Sequence, residues 1–363
     1  ERVVQRVIYS VGYGGRSWEE FADLLRTYNV RLVVDVRKWP TSKRVPWTEK
    51  NNIEAFAELA LDQALNLGAD AIIVRTINNT EHQIRFSTNK IDINKEWNYL
   101  RLEFFLVVDN NKVMTGNFSP VSEDMVKSQI KQAIDFANTV DPSFLYQGIE
   151  DKQRSYPKVE DVYDPSIKEF IGQSPEMVNE AIDSAIQAGA TRVAGSLLFG
   201  ERQSSFISSL GLKGSFKSTY YNLTVRAFQE TLDESGQGLT SGRMLDNIEE
   251  NFIRAGKTAG EFSKLHRGCK QGKPGTYDLI LSPAVAGNLI GGLVEAANPL
   301  MIMIGMSPFQ DKIGDQIGPE FLTIDDNALI PNGLGSSPYD FEGTPHQKTT
   351  IIENGVLKQL IHN

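Results

Sequence analysis

Two pairs of carboxylates are the side chains of this sequence best suited to acid–base or metal chemistry. Asp340 and Glu342 lie two residues apart before Gly343, and Asp325 is followed directly by Asp326. Such a pair could share a metal ion or divide the roles of general acid and general base in a hydrolase. Carboxylates this close together in turns usually cap the backbone or face solvent instead. We predict that structural role for both pairs, with a self-sufficient hydrolase as the alternative.

The histidines and the cysteine do not form a recognisable metal site. His266 and Cys269 are three residues apart in a basic loop, whereas a zinc ion needs three or four protein ligands. The other histidines, which stand alone in the sequence, are His82, His346 and His362. Neither a G-x-S-x-G nor a P-loop spacing occurs. We therefore predict no catalytic residue, no cofactor-binding residue and no metal ligand in this chain.

Size and composition are those of an ordinary globular protein. The 363 residues allow two or three domains, with 40% hydrophobic and 23% charged residues. No apolar run is long enough for a transmembrane helix, and no charged-then-apolar leader opens the chain. We therefore predict a cytoplasmic protein that does not contact a membrane. The net charge of -9 disfavours broad contact with nucleic acid.

The first 50 residues are predicted to form a strand, a helix and a second strand, Leu32–Arg37. Asp35 and Arg37 end that second strand, where α/β folds place ligand sites, although such residues commonly just pair or cap the next element. The motifs Tyr13–Ser17 and Asp35–Ser42 resemble the opening of a small α/β family of unknown function. So short a βαβ fragment buries too little apolar surface to fold alone. We expect it to dock on the rest of the chain or to mark a fused or mis-joined reading frame.

Residues 51–275 alternate helices with groups of strands, which is typical of an α+β protein with antiparallel or mixed sheets covered by helices. Apolar periodicity predicts helices at Ile53–Leu67, Glu123–Asn138 (with Ser122 as N-cap), Ser174–Ala188 and Met244–Glu261. In the third helix, Ser174 is the predicted N-cap and Pro175 the first helical residue. A helix followed by Gly-Ala and a strand occurs twice, near residues 53–75 and 174–199, which indicates a structural repeat.

Short strands are predicted at Ala69–Arg75, Gln83–Ser87, Tyr99–Val108, Lys112–Thr115, Val193–Phe199, Ser205–Leu210, Gly214–Thr219 and Thr224–Glu230. His82 and the Asp109–Asn111 cluster are predicted to be solvated turn residues, and Asp141–Pro165 to be a linker. A further helix is predicted over Pro283–Ala297. Near the chain end, Lys348–Ile352 and Val356–Ile361 flank Asn354-Gly355, a strong signal for a hairpin with a type I′ turn.

From about Ile53 to Asn363 the ordered motifs resemble the TldD/TldE (PmbA) family, whose members have been named modulators of DNA gyrase and studied as peptidase components. Three features carry the resemblance: the helix ending in Gly68-Ala69, the run Pro274–Leu281, and the acidic–glycine step before the Asn-Gly hairpin. The resemblance implies an N-terminal α+β domain at 51–141, a central segment at 142–275 and a β-rich C-terminal domain at 276–363, after the βαβ fragment at 1–50.

In catalytic TldD-type relatives, the helix after the Pro274–Leu281 run carries H-E-x-x-x-H, whose histidines hold zinc while the glutamate takes a proton from water. This chain has Gly291-Gly292-Leu-Val-Glu295-Ala296 at those positions. The resemblance therefore implies the TldE/PmbA branch, a pseudo-peptidase subunit that acts as scaffold or substrate gate in proteolysis of small or unfolded peptides. The implied partner is a TldD-type zinc protease subunit, which would hold the zinc, with a self-dimer as the alternative.

Family members continue past the second hairpin strand, whereas this sequence stops at Asn363. We expect the resulting edge of the C-terminal sheet to be open, or to be covered by the partner or by residues 1–50.

Overall fold

A six-stranded antiparallel sheet is the central element of the part of the chain that the structure describes. The computed structural model describes residues 52–120, 122–151, 155–270 and 272–361. All of them belong to the second of two units, residues 43–363. The predicted βαβ fragment, with Asp35 and Arg37, lies outside the described residues, and so does His362.

The six strands come in equal numbers from the predicted segments 51–141 and 142–275. In chain order they are β1 (Ala71–Ser87), β2 (Lys90–Val108), β3 (Lys112–Phe118), β4 (Arg192–Ser208), β5 (Lys213–Phe228) and β6 (Ser235–Gly242). Their order across the sheet is β3-β2-β1-β4-β5-β6, and every neighbouring pair is antiparallel. The pairing of β1 with β4 therefore joins the two segments into one sheet.

Each half of the sheet repeats the same order of helix, three strands and helix. Helices α1 (Asn52–Asn66) and α2 (Glu123–Ala137) flank β1–β3, and α3 (Ile167–Gln187) and α4 (Ile248–Leu265) flank β4–β6. In both halves the first helix is followed by a glycine with positive φ, Gly68 at 91° and Gly189 at 111°. The next alanine N–H then bonds to the carbonyl five residues back, as in a Schellman cap. The predicted structural repeat is confirmed.

All four helices cover one face of the sheet. Successive strand side chains point to opposite faces, so every second residue enters the helix-side core. The strand residues of this core are, beneath α1 and α2, Ile72, Val74, Leu102 and Leu106, and, beneath α3 and α4, Leu197, Phe199, Leu223 and Val225. The opposite face of the sheet is thereby left for polar residues and for the C-terminal segment.

The strands are longer than predicted. The predicted break between Arg75 and Gln83 is absent, because β1 runs through it for 17 residues. Polar residues in the break continue the ladder by binding a distant strand: Thr76 Oγ1 lies 2.7 Å from Ser205 Oγ. The breaks predicted in the second half, after Phe199 and after Thr219, are absent for the same reason. Pairing with the neighbouring strands therefore outweighed the low β-propensity of the polar residues in these breaks.

The start of the third predicted helix was also wrong. Helix α3 begins at Ile167, and Pro175 lies inside it. Proline lacks the N–H that would donate to the carbonyl four residues earlier. The hydroxyl of Ser174, the predicted N-cap, donates to that carbonyl of Ile171 instead, at 3.1 Å. This substitute hydrogen bond explains how the helix passes through the proline.

The C-terminal part contains α5 (Pro283–Ala296), α6 (Pro299–Met303), and strands β7 (Ile324–Asn327), β8 (Lys348–Glu353) and β9 (Val356–Leu357). Asn354 and Gly355 have φ values of 49° and 79°, which confirms the Asn-Gly hairpin turn. The second hairpin strand ends earlier than predicted. After Leu357 the chain turns toward the end of α5, where Ile361 N–H donates to the carbonyl of Ala297 at 3.0 Å.

Among the described residues, no helix combines the length and the apolar character that crossing a membrane would require.

The contact between α3 and α4 depends on glycine. A Cβ atom on Gly256 would overlap the carbonyl oxygen of Ala181 and the hydroxyl of Ser184, which itself bridges to Ile253 O at 3.0 Å. By contrast, no atom lies within 4 Å of a Cβ built on Gly172 in the same pair of helices. A substitution at Gly172 is therefore a control for the same substitution at Gly256.

We predict that Gly256→Ala lowers the free energy of unfolding by about 1–3 kcal/mol, because the added methyl group overpacks the helix contact. Gly172→Ala should leave it unchanged or raise it by up to about 1 kcal/mol, since alanine is the better helix former. Urea denaturation of both variants measures the difference. Equal effects would contradict this account of the α3–α4 contact.

Candidate functional site

The segment of residues 332–346 crosses the face of the sheet opposite the helices. The segment is attached to the sheet at Arg243, the residue just after β6. Arg243 is only 6% exposed. The guanidinium donates to the carbonyl oxygens of Gly333 and Leu334, both at 2.6 Å, and of Ser336 at 3.0 Å. Asn332 Oδ1 accepts from the backbone N–H of Arg243 at 2.9 Å. A buried cation thus ties the segment to the sheet through carbonyl groups.

An aromatic cluster holds the next part of the segment. The ring of Tyr339 packs edge-on against Phe206 of β4, with centroids 4.8 Å apart, and lies 4.9 Å from the ring of Tyr156. Tyr156 Oη donates to the carbonyl of Gly343 at 3.0 Å. Gly343 has a φ of 89°, and a Cβ there would press into the Phe206 ring. The predicted acidic–glycine step therefore needs its glycine for both backbone conformation and close packing.

A cleft of about 360 Å³ opens between this segment and the first half of the sheet. Its lining residues are Ile73, Arg75, Glu103, Phe104, Phe105, Thr115, Gly116, Asn117, Phe341 and Glu342. Arg75 Nη1 lies 3.4 Å from Glu103 Oε2, and its guanidinium stacks 4.2 Å from the centroid of the exposed Phe341 ring. The cleft therefore combines an ion pair, amide and hydroxyl groups, and an aromatic surface.

Electrostatics distinguish two charged residues of the cleft. Burial lowers the pKa of Arg75, while Glu103 acts against this shift and Arg202 adds to it. Glu342 is exposed overall, but partial burial of its carboxyl raises its pKa, and the charges of Asp340 and Glu150 add to that increase. The cleft holds hydrogen-bond donors and acceptors for a polar ligand. No histidine or cysteine occurs among its described lining residues, so it has no nucleophile–base pair of the usual kind.

The predicted carboxylate pairs have structural partners. Asp340 Oδ1 accepts from the backbone N–H groups of Glu342 and Thr344, both at 2.9 Å. Asp325 accepts from the Thr350 hydroxyl at 2.6 Å and pairs with Lys348 at 2.9 Å, and these contacts lower its pKa. Asp340 thus caps the backbone of its own turn, whereas Asp325 binds two side chains of β8. Glu342 differs, because it lines the cleft.

One histidine prediction was wrong. His82 is not a solvated turn residue: it is 5% exposed within β1, its ring stacks 5.0 Å from that of Phe199, and Nε2 lies 3.7 Å from Glu96. The merging of the predicted strands explains this, since it places His82 on the helix-side face. The turn predicted at Asp109–Asn111 is confirmed, with φ values of 49° at Asp109 and 64° at Asn110.

The other candidate ligands are dispersed. His266 caps α4 and its Nδ1 contacts the carbonyl of Ser235 at 2.5 Å, while Cys269 is exposed. His346 Nδ1 lies 2.8 Å from the carbonyl of Ser337. On α5, Gly291 and Glu295 are exposed. Within the described ranges, no group of three or more His, Cys, Asp and Glu side chains is placed to hold a metal ion.

Sequence reasoning missed the residues that build the cleft. Arg75 and Glu103, which line the cleft, lie within strands, and Arg243 and Tyr156, which hold the crossing segment, stand in irregular segments without a motif. Only the acidic–glycine step marked this region, through Glu342. The other residues become neighbours only because the C-terminal segment of residues 332–346 crosses the sheet.

Two family models match the sequence. One, described as the PmbA/TldA metallopeptidase C-terminal domain, matches residues 274–363. The other, described as domain of unknown function DUF488, matches residues 17–70. A protein named Metalloprotease MJ0996 from Methanocaldococcus jannaschii is 33% identical over 129 residues, which are 35% of this chain and 29% of that protein. The chain therefore spans less than a third of the length of this relative.

Solved structures share the fold. A putative modulator of DNA gyrase from Bacteroides thetaiotaomicron superposes with a TM-score of 0.75 at 20% identity, covering 86% of this chain and 72% of that one. TldE from Thermococcus kodakarensis superposes with a TM-score of 0.62 at 18% identity, covering 84% and 69% of the two chains. At these identities the likeness establishes a multi-domain α+β fold with antiparallel sheets.

We predict that Arg243→Lys lowers the free energy of unfolding by about 2–3 kcal/mol, because an ammonium group cannot serve three carbonyls in a fork and leaves buried acceptors unpaired. Amide hydrogen exchange should accelerate most in residues 332–346. The control is Arg254→Lys, since the exposed Arg254 makes a single hydrogen bond to Asn251 at 2.6 Å. Unchanged exchange in the segment would refute the anchoring role.

We predict that Asp340→Asn lowers the pKa of Glu342, because it removes a negative charge while keeping the Oδ1 acceptor. The sign for stability follows from linkage. The pKa of Glu342 is higher in the folded chain than its ordinary value of 4.5. Above about pH 4.5 the folded chain therefore binds more protons at this group than the unfolded chain does. Its contribution to stability is then lost as the pH rises through the folded-state pKa. Carboxyl ¹³C NMR titration measures the shift. Asp326→Asn is the control and should not move it; an upward shift in Asp340→Asn would contradict the assignment.

Proposed function

Because the chain belongs to the PmbA/TldD family of metallopeptidase-related proteins, we propose that it is a non-catalytic subunit of the TldE/PmbA type. In this role it pairs with a TldD-type zinc protease and acts as scaffold or gate for small or unfolded peptides that the partner cleaves. The zinc belongs to the partner. Peptide cleavage as a whole is thus a property of the complex.

The observation that carries this proposal is the residue content of helix α5. The six positions that correspond to H-E-x-x-x-H contain glycine at Gly291 and Gly292 and alanine at Ala296. A zinc hydrolase needs imidazole or thiolate ligands and a carboxylate base next to the metal. The three described histidines lie elsewhere in the molecule: His266 and His346 contact backbone carbonyls, and His82 stacks on Phe199 within β1.

An exposed apolar surface around α5 supports a protein partner. Large side chains that would be buried in a typical core are strongly exposed there: Leu279 (76%), Ile280 (104%), Leu289 (59%) and Met306 (73%). Large exposed apolar side chains concentrated in one stretch of the sequence are typical of a protein interface. We place the family partner on this surface, with a second copy of this chain as the alternative occupant.

The cleft beside Glu342 supports the gating role. It offers an ion pair, amide groups and an aromatic ring, which suit the polar backbone and side chains of a peptide. A role in binding DNA has less support, because the net charge is -9 and a DNA-binding surface needs clustered basic residues.

We expect the purified chain to contain no stoichiometric zinc and to form a stable complex with a TldD-type homologue. Metal analysis and native mass measurement, on the chain alone and on the mixture, test both statements. Stoichiometric zinc in the chain alone would overturn the non-catalytic assignment. Peptide hydrolysis by the chain alone that Glu342→Gln abolishes would replace it with the carboxylate hydrolase.

A matched pair of variants locates the interface. Leu289→Asp, on α5, should weaken the mixed complex at least tenfold, because it places a charge in the proposed apolar contact. Leu232→Asp alters a leucine of similar exposure, 68%, in the turn before β6 and should leave the complex unchanged. Equal behaviour of the two variants would remove α5 from the interface.

A further inference from the structure

We propose that the cleft beside Glu342 binds the basic side chain of an extended peptide, either a lysine or an arginine. The charged group of the ligand pairs with Glu342, its apolar stem packs on the ring of Phe341, and its backbone follows the outer edge of β3. This inference rests on the gating role proposed above and deepens it, because it names the class of peptide side chain that the cleft selects.

The first observation is that Glu342 lines the cleft without a cation. Among the described residues, no ion pair or hydrogen bond joins its carboxylate to another side chain. The charges that act on its pKa are those of Asp340 and Glu150, and both are negative. A bound cation would relieve this repulsion.

The second observation is that the other charges of the cleft are already paired. Glu103 lies between two arginines: its Oε2 is 3.4 Å from Arg75 Nη1, and its Oε1 is 3.7 Å from Arg101 Nη1. Neither arginine is among the charges that act on the pKa of Glu342. Within the described lining of the cleft, the charge without a counterpart is therefore negative, and the complementary ligand is a cation.

The third observation is the apolar surface next to this carboxylate. The ring of Phe341 is 71% exposed, although Arg75 stacks 4.2 Å from its centroid, and Ile73 and Phe105 also line the cleft. Lysine and arginine bury their methylene stems along apolar surface while the charged end stays with polar groups. The cleft volume of about 360 Å³ has room for such a side chain.

A metal ion fits the cleft less well. It would make no use of the aromatic lining, and within the described ranges no group of three or more His, Cys, Asp and Glu side chains is placed to hold one. The ligand is therefore a cation that carries an apolar stem.

The edge of the sheet provides for the backbone of the ligand. Strand β3 is the last strand on its side of the sheet, and its exposed Thr115 and Asn117 line the cleft. In the described part of the chain, no segment other than β2 makes a backbone hydrogen bond with residues 113–118. The outward N–H and C=O groups of such an edge can pair with an added strand. A strand added there presents every second side chain to the face on which the cleft opens.

The test measures binding of acetyl-Ala-Ala-Lys-Ala-Ala-amide to the chain alone by calorimetry. The matched probe contains Nε-acetyl-lysine, which keeps the stem and removes the charge. We expect the charged peptide to bind at least tenfold more tightly, which corresponds to about 1.4 kcal/mol. Arginine and its uncharged analogue citrulline form a second pair of probes. A preference for the charged member of either pair supports the site, and no preference in both pairs would overturn it.

Two further readouts define the ligand and the location. Binding of n-butylamine as tightly as the lysine peptide would show a site for free amines and overturn the peptide assignment. In NMR spectra the backbone amides of Thr115, Asn117 and Glu342 should shift when the lysine peptide binds. Shifts confined to other parts of the chain would overturn the location.

A matched pair of variants separates the cleft from general effects of charge. Glu342→Gln should weaken binding of the lysine peptide at least tenfold and leave binding of the acetyl-lysine peptide unchanged. The fold should tolerate this change, because the carboxylate has no described partner. Glu320→Gln removes the same charge from an exposed residue outside the cleft and should leave both peptides unaffected. A loss in Glu342→Gln no larger than the loss in Glu320→Gln would overturn the assignment.

The outcome can be told apart from that of the proposed function, because the assay contains no protease. A stable mixed complex without charge-selective peptide binding would overturn this inference alone. Charge-selective binding without a mixed complex would overturn the partner assignment alone.

Discussion

The functional face of this protein depends on a buried guanidinium that has carbonyl groups as partners instead of a carboxylate. Arg243 closes the gap between the last strand of the sheet and residues 333–336. Since an arginine stays charged and carbonyls do not titrate, this attachment is insensitive to pH. It fixes where the crossing segment begins, and therefore where Tyr339, Phe341 and Glu342 meet the sheet.

The two faces of the sheet have separate roles. On the helix side, close packing dominates, and small residues such as Gly256 let α3 and α4 approach until backbone atoms touch. On the other side, the two repeated halves join at the β1–β4 pair and form a surface that combines charged residues with an aromatic cluster. Arg75 comes from the first half and Arg202 from the second, so the pairing of the halves creates their common electrostatic field.

The C-terminal part of the chain matches a family model named for metallopeptidases, while the candidate side chains make contacts within the fold. Helix α5 has glycine at the positions that the resemblance aligns with zinc-binding imidazoles, and two of the described histidines, His266 and His346, contact backbone carbonyls instead. Two of the carboxylates that looked most reactive are held within the fold: Asp340 accepts from two backbone N–H groups of its own turn, and Asp325 binds Thr350 and Lys348. Glu342 is the exception, because it lines the cleft.

Local chemistry determined much of what the sequence revealed by itself: the Ser122 N-cap, the glycines that follow α1 and α3, the Asn-Gly turn, the family motifs and the missing histidines on α5. Each depends on residues close together in the chain. The tertiary structure decided the rest. Strand β1 continues through Thr76 only because Ser205 lies opposite it, and α3 passes through Pro175 because Ser174 replaces the lost donor. The cleft combines residues more than 100 positions apart, such as Arg75 and Glu342, which no local pattern could bring together.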